Sequence, residues 1–191
     1  MREGGWQSTV GIGLAGKRLG IIGLGRLGSA VARVGGAFGM RLVAWSENLT
    51  AERATECGAE LVAKEELLRA ADVVTVHLVL SDRTRGLVGA RELELMKPTA
   101  VLVNTSRGPI VDEAALVAAL ESGTIAGAAL DVYDREPLPA DHPLRRAPNT
   151  VLTPHLGYVT EESYRVFFEQ TVKAIEAFLA GSPVRVLSSA S

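Results

Sequence analysis

Residues 19–28 read LGIIGLGRLG, an apolar run followed by glycines at positions 23, 25 and 28 in the spacing G-x-G-x-x-G. Apolar residues then recur at helical spacing up to Phe38, and Gly39 follows where a helix commonly ends. The stretch therefore predicts a strand, a tight glycine turn and an amphipathic helix. Beyond it, short runs rich in valine, isoleucine and leucine alternate with helix-period segments, which indicates repeated strand–helix units.

The later apolar runs extend this unit into a parallel sheet. Residues 73–77 and 100–104 are almost continuously apolar, as expected for strands that are buried on both faces. The units are too few for a closed α/β barrel. We therefore predict the α/β fold class, with a doubly wound parallel sheet of the Rossmann type. The other predicted strands are residues 41–45, 61–62, 127–132 and 151–153.

The last segment of the chain differs from these units. Thr160 is suited to cap a helix that ends before Gly181, and apolar residues from Tyr164 to Leu179 fall on one broad face of it. That face needs cover from the domain itself, from a partner subunit or from another domain, and the sequence leaves this choice open. We predict a Rossmann domain over residues 1–158 and a C-terminal helix and tail over residues 159–191.

The composition excludes several classes of protein. The chain has 191 residues, enough for one large domain with an appendage, and 47% of them are hydrophobic. The formal net charge is −2 without a long run of like charges, so we expect no nucleic-acid partner. No apolar run reaches the roughly 18 residues of a membrane span, so we expect no membrane partner. Cys57 is the single cysteine and no signal peptide opens the sequence, which favours the cytoplasm.

The glycine pattern predicts a dinucleotide phosphate site. The first glycine permits the tight turn, the second lets a pyrophosphate approach the backbone, and the third lets the helix pack on the strand. We assign Gly23, Gly25 and Gly28 to this site, together with Leu27 in the first helical turn, where free N–H groups favour anions. Arg26 either reaches the pyrophosphate or is solvated at the helix start. The alternatives are a glycine turn without a ligand and a methyltransferase that binds S-adenosylmethionine.

The end of the second strand normally carries an acidic residue that binds the adenosine ribose. Here the strand is followed by Ser46, Glu47 and Asn48, so a serine stands where the acid is expected. Loss of that carboxylate removes its repulsion of a 2′-phosphate, but no arginine follows directly to bind that phosphate. Ser46 and Asn48 suit either ribose form or ordinary turn positions, and NAD and NADP are both left open as the cofactor.

Reactive side chains follow three of the predicted strands, and ligands of an open parallel sheet lie beyond the carboxyl ends of its strands. These side chains are Arg107, Glu136 and His155. An arginine holds a carboxylate, a histidine exchanges a proton near neutral pH, and a carboxylate beside the histidine favours its protonated form. Reduction of a 2-keto acid by a nicotinamide cofactor requires these groups. Each of them alone also suits an ordinary loop position, and we predict no metal site.

Several blocks of sequence occur together and in order. They are Leu14–Lys17, Gly23–Gly28, Val76–Leu78, Thr84–Leu87, Met96–Pro98, Asn104–Gly108, Val111–Leu116, Ala128–Val132, Glu136–Pro137 and Thr153–His155. With these blocks the chain resembles the nucleotide-binding domain of the D-isomer-specific 2-hydroxyacid dehydrogenases. The resemblance implies that Arg107 binds the substrate, that His155 is the acid/base with Glu136 as its partner, and that Asp131 holds the nicotinamide carboxamide. We also assign Thr105 and His155 to cofactor contacts.

The resemblance implies further properties. Members use NAD or NADP, act on the CH–OH group of a D-2-hydroxy acid, and usually dimerise through this domain, so we expect a homodimer. They begin with a segment that forms most of a substrate domain, and the helix that starts after Thr160 resembles their return helix toward it. Because this chain starts almost where that segment would end, we expect a truncated enzyme of low activity. The alternative is a non-catalytic NAD(P)-binding and dimerisation module.

Overall fold

The computed structural model of the protein describes residue 4, residues 6–7 and residues 10–187. It divides into two compact units, Met1–Pro154 and His155–Ser191. The division that the sequence predicts after residue 158 stays a prediction. Residues 188–191 of the predicted tail lie outside the described residues.

The described part of the first unit forms one parallel sheet with helices between its strands. The strands are β1 (Arg18–Ile22), β2 (Arg41–Trp45), β3 (Ala59–Leu61), β4 (Val73–Val76), β5 (Val101–Asn104), β6 (Gly127–Leu130) and β7 (Thr150–Leu152). The helices are α1 (Arg26–Ala37), α2 (Ala51–Glu56), α3 (Lys64–Ala70), α4 (Ala90–Leu95) and α5 (Glu113–Glu121). The strand order is β3-β2-β1-β4-β5-β6-β7. Strands β2 and β3 thus lie on one side of β1, and β4 to β7 lie on its other side. The predicted doubly wound Rossmann-type sheet is confirmed.

Apolar side chains cover both faces of this sheet. Ile21 and Ile22 are both fully buried, but they belong to different apolar clusters because successive side chains of a strand point to opposite faces. Ala32 of α1 packs in the cluster of Ile21, whereas Leu67 of α3 and Leu116 of α5 pack in the cluster of Ile22. Burial on both faces explains why the sheet strands read as continuous apolar runs.

Two central strands end earlier than the sequence predicts. β4 stops at Val76 and β6 at Leu130, although the predicted strands continue to residues 77 and 132. The next residue in each case still donates its N–H to the neighbouring strand, His77 to Ile22 O at 2.8 Å and Asp131 to Asn104 O at 3.0 Å. The chain then turns away into a loop. The sequence therefore predicts both strands, but not the residue at which each one ends.

The second unit contains α6 (Glu161–Leu179), which the sequence predicts between Thr160 and Ala180. The Thr160 hydroxyl caps it by accepting the N–H of Ser163 at 3.2 Å. The rings of Tyr164, Phe167 and Phe168 lie on one side of the helix, with centroids 6.3 Å and 6.1 Å from Tyr164. Among the described residues, no helix combines the length and apolarity needed to cross a membrane.

Candidate functional site

The strand register places several predicted site residues at one edge of the sheet. Trp45, Ile22, Val76, Asn104 and Leu130 are paired in turn across neighbouring strands. The loop that follows each of them therefore begins at the same level. We call this the carboxyl edge, and its first loop residues are Ser46, Gly23, His77, Thr105 and Asp131.

The glycine turn joins β1 to α1 at the carboxyl edge. Gly23 has a φ of +98°, a conformation that favours glycine, and donates its N–H to Trp45 O at 2.8 Å. A Cβ on Gly28 would lie 2.0 Å from Gly23 O, so only glycine lets the helix come this close to the strand. The backbone conformation at Gly23 and the close packing at Gly28 therefore favour glycine, as the sequence predicts.

The start of α1 fits a pyrophosphate. Its N-cap residue is Gly25, so no side chain caps the helix, and its first turn carries no acidic residue. A Cβ on Gly25 would have no atom within 4 Å, so the space above this glycine is open. Arg26 and Leu27 are exposed in the same turn. Uncapped N–H groups and the positive end of a helix dipole form an anion site, which is the chemistry that a dinucleotide needs here.

A cavity of about 450 Å³ is lined by residues at the end of β2 and in the loops that follow β2 and β4. Ser46, Glu47 and Asn48 line one part of it, and a ribose site at these residues stays a prediction. Arg83, from the loop before α4, lines another part. The cavity therefore presents both a carboxylate and a guanidinium, which have opposite effects on a 2′-phosphate.

The loop after β5 is shaped by a buried amide. Asn104 is 1% exposed, and its side chain accepts the N–H of Ser106 and donates to Arg107 O, both at 3.0 Å. These two bonds hold the loop at the carboxyl edge, with Thr105 and Arg107 exposed. The Arg107 guanidinium donates to Ser106 O at 2.6 Å through Nη1. The sequence analysis identifies Arg107 as a candidate but not the role of Asn104. A polar residue at the end of a buried strand does indicate a hydrogen-bonding role.

Two predicted carboxylates follow β6. Asp131 is 7% exposed and accepts a 2.5 Å hydrogen bond from the Thr153 hydroxyl. Glu136 is exposed, and its Oε1 accepts the N–H of Tyr133 at 2.9 Å. Tyr133 is itself fixed, since its hydroxyl donates to Thr153 O at 2.9 Å. Burial, together with the charge of Asp131, raises the pKa of Tyr133, so its hydroxyl stays protonated at neutral pH.

His155 belongs to the second unit. Its φ is +55°, an uncommon conformation for a residue other than glycine. Its ring meets the ring of Tyr158 edge-on, with centroids 5.5 Å apart. The pairing of His155 with Glu136 stays a prediction.

His77 lies at the carboxyl edge behind the glycine turn. A Cβ on Gly23 would lie 2.7 Å from His77 O. The His77 ring shares a 2.9 Å hydrogen bond with the Thr75 hydroxyl, and burial lowers its pKa, which keeps the imidazole neutral. Within the described ranges, no group of three or more His, Cys, Asp or Glu side chains is placed to hold a metal ion.

The fold and the glycine turn define a dinucleotide-binding protein of the Rossmann type. Residues 1–157 match the model of the D-isomer specific 2-hydroxyacid dehydrogenase, NAD binding domain. The chain belongs to this family, and it contains the family's NAD-binding domain.

Similarity to individual proteins agrees with this assignment. A glyoxylate reductase of Aeropyrum pernix is 48% identical over 179 residues, which cover 93% of this chain and 53% of the relative. Among solved structures, a phosphoglycerate oxidoreductase from Vibrio cholerae O395 superposes with a TM-score of 0.84 at 39% identity, covering 92% of this chain and 59% of the other. The NAD-complexed form of a D-isomer specific 2-hydroxyacid dehydrogenase from Lactobacillus delbrueckii ssp. bulgaricus gives a TM-score of 0.76 at 32% identity, with 90% and 56% covered. The chain thus spans about half the length of these relatives.

Proposed function

We propose that this chain forms the NAD(P)-binding part of an oxidoreductase that interconverts a 2-keto acid and a D-2-hydroxy acid. Family membership supports the reaction class, and the relative named a glyoxylate reductase supports a small 2-keto acid as substrate. The observation that carries the proposal is the carboxyl edge, where the glycine turn, Thr105 and Asp131 begin neighbouring loops. When bound there, the reduced nicotinamide cofactor supplies the hydride.

Arg107 binds the substrate carboxylate. Its guanidinium is exposed beyond β5, and its Nη1 donates to Ser106 O. The remaining N–H groups suit the two parallel hydrogen bonds that a carboxylate accepts. Asn104 holds the backbone of this loop, so the cation is presented on an ordered support.

His155 gives a proton to the carbonyl oxygen of the substrate during reduction and takes it back during oxidation. Glu136 orients the imidazole and favours its protonated form. Oε1 of Glu136 accepts the Tyr133 N–H, which ties this carboxylate to the backbone after β6.

The cofactor contacts follow the same edge. Gly23, Gly25, Leu27 and Gly28 receive the pyrophosphate with help from Arg26, and Ser46 and Asn48 bind the adenosine ribose. Asp131 accepts a hydrogen bond from the nicotinamide carboxamide, since a carboxylate is an acceptor only. Thr105 and His155 complete the nicotinamide end of the site.

The test measures binding and turnover separately. NADH and NADPH are titrated calorimetrically, and oxidation of each is then followed by absorbance with glyoxylate as substrate. We expect cofactor binding, and we expect turnover to fall at least about 100-fold in His155→Ala because a general acid is lost. Arg107→Ala should raise KM for glyoxylate, whereas Arg91→Ala, an exposed arginine on α4, should behave as wild type.

Two outcomes would contradict the proposal. Failure of both cofactors to bind would remove the dinucleotide site, and turnover that survives His155→Ala would remove the assigned acid. Cofactor binding without any turnover would favour the second candidate, a non-catalytic NAD(P)-binding module. We retain the non-catalytic module as the second candidate because the chain covers only 53% of the glyoxylate reductase.

We further propose that the protein is a cytoplasmic homodimer. Leu27, Val34 and Phe38, on or directly after α1, are 57–65% exposed and lie at helical spacing, so they form an apolar stripe. Such stripes favour association with a second copy. Cys57 is the single cysteine of the sequence, which suits a reducing compartment. Sedimentation at micromolar concentration tests the dimer, and a monomer would refute it.

A further inference from the structure

The segment that carries Glu136, residues 133–142, is held by a side chain outside it. Glu113, the first residue of α5, accepts the N–H of Asp134 through Oε1 at 2.8 Å. Its other oxygen, Oε2, lies 3.3 Å from Nε2 of His142. A single carboxylate therefore contacts this segment near its start and at its end. We propose that Glu113 is a positioning residue that fixes the backbone around Glu136; its effect on catalysis rests on the proposed function.

The contact to His142 is a hydrogen bond in the neutral state of the ring. Nδ1 of His142 accepts the N–H of Leu144 at 3.3 Å, so this nitrogen carries no proton. The proton of the neutral imidazole is then on Nε2, which donates it to Glu113. The anchor at the end of the segment therefore also sets the tautomer of His142.

The Glu136 carboxylate lies between these anchors. It accepts the N–H of Tyr133, and the next N–H, that of Asp134, goes to Glu113. Tyr133 is tied to the sheet through its hydroxyl, which donates to Thr153 O. The backbone before Glu136 is therefore held on one side by the sheet and on the other by Glu113. Loss of Glu113 releases Asp134 and His142 together and leaves the segment held by Tyr133 and by Arg145, which donates to Leu138 O and Pro139 O, both at 2.7 Å.

Burial and nearby charges act on the ionisation of Glu113. Burial raises the pKa of the Glu113 carboxyl, the charges of Asp134 and Glu136 raise it further, and the Asp134 N–H and His142 oppose these effects. The pKa of Asp134 is also raised, by burial first, with Asp112 adding to the rise and Arg85 and His142 opposing it. The ionised Glu113 therefore depends on donors from the segment that it anchors.

Hydrogen exchange tests this role without cofactor or substrate. We expect the Asp134 amide to exchange at least about tenfold faster in Glu113→Ala, since its charged acceptor is gone. Glu113→Gln keeps a carbonyl oxygen for that amide and should restore its protection. Glu121→Ala, an exposed glutamate at the other end of α5, is the matched control and should leave the rate unchanged.

The amide of Ala129 in β6 serves as the internal reference. If its exchange accelerates as much as that of Asp134 in Glu113→Ala, the residue acts through global stability and the positioning role is wrong. If Glu113→Gln exposes Asp134 as fully as Glu113→Ala does, or if Glu113→Ala leaves Asp134 protected, the backbone anchor is refuted.

The kinetic readout separates this inference from the proposed function. If the wild-type protein turns over substrate, Glu113→Ala should lower kcat and change the pH profile of kcat, because Glu136 is no longer held. The Kd of NADH should stay within about twofold of wild type. Glu113→Gln should recover part of kcat, because its single carbonyl oxygen restores the anchor at Asp134 while its NH2 group cannot accept from His142. Absence of turnover in the wild type would count against the proposed function alone, because the exchange result stands without it.

Discussion

Replacement of Gly25 by alanine separates cofactor binding from folding. The added Cβ meets no atom within 4 Å, and the φ of Gly25 is −77°, which alanine adopts freely. Alanine is a somewhat poorer N-cap than glycine, but it also reduces the entropy of the unfolded chain by about 0.4–1 kcal/mol, so the two effects nearly cancel. We therefore expect a free energy of unfolding within about 1 kcal/mol of wild type.

The cofactor should respond differently. The methyl group would occupy open space beside the start of α1, where we propose that the pyrophosphate binds. Lengthening one charge-assisted hydrogen bond loses about 1.5–3 kcal/mol. Since 1.4 kcal/mol is a factor of ten, we expect the Kd of NADH to rise about 10- to 100-fold.

Calorimetric titration of NADH and urea unfolding measure the two effects. Gly36→Ala is the matched control, because Gly36 lies in the same helix and its Cβ would meet only Leu42 Cδ1 at 3.9 Å. It should stabilise the fold by about 0.5–1 kcal/mol and leave the Kd of NADH unchanged. Gly28→Ala should instead destabilise the fold by about 2 kcal/mol or more, because the Cβ meets a backbone oxygen. An unchanged Kd in Gly25→Ala would refute the placement of the pyrophosphate.

Two further predictions concern charge. Because Glu47 and Arg83 line the same cavity, Glu47→Gln should raise the affinity for NADP relative to NAD about fivefold, and Arg83→Ala should lower it by a similar factor. Competitive titration measures this ratio of affinities. Equal ratios in wild type and both variants would show that neither residue belongs to the ribose site. Burial raises the pKa of Asp72, but hydrogen bonds from Arg18 N–H at 2.8 Å and Lys97 at 2.9 Å, with nearby positive charge, bring the pKa below its ordinary value of 3.8. The stabilisation by the ionised Asp72 carboxylate is therefore present above pH 3.8 and is lost as the pH falls through the lower pKa of the folded state. Asp72→Asn should therefore lower the free energy of unfolding by about 1 kcal/mol at pH 7 and match wild type in strong acid. A pH-independent difference in urea unfolding would contradict this.

The fold was predictable because its signals are local. The spacing of glycines at 23, 25 and 28 and the apolar run before them specify a strand, a turn and a helix within one short stretch. The caps of α5 and α6 are likewise readable, since Asp112 and Thr160 accept the N–H of a residue three positions on. The strand ends were less predictable, because each depends on a hydrogen bond to a neighbour that is distant in sequence.

The candidate site was predictable only in part. Arg107, Glu136 and His155 follow strand ends, so their residue type and position suffice to make them candidates, whereas the role of Asp131 comes only from the family resemblance. Arg83 was missed because its loop follows a different strand from Ser46, and no local pattern links the two. Asn104 was missed in its role because its side-chain bonds depend on how the loop folds back.

The sequence by itself determined the alternation of strands and helices, the parallel sheet and the glycine turn, because periodicity and backbone preference act over a few residues. Only the tertiary structure decided which polar groups meet. The Glu113 carboxylate and the Asp134 N–H are 21 residues apart in the chain, and they form a hydrogen bond because α5 and the loop after β6 fold against the same part of the sheet. Contacts of this kind depend on packing between elements, which residue spacing along the chain does not encode.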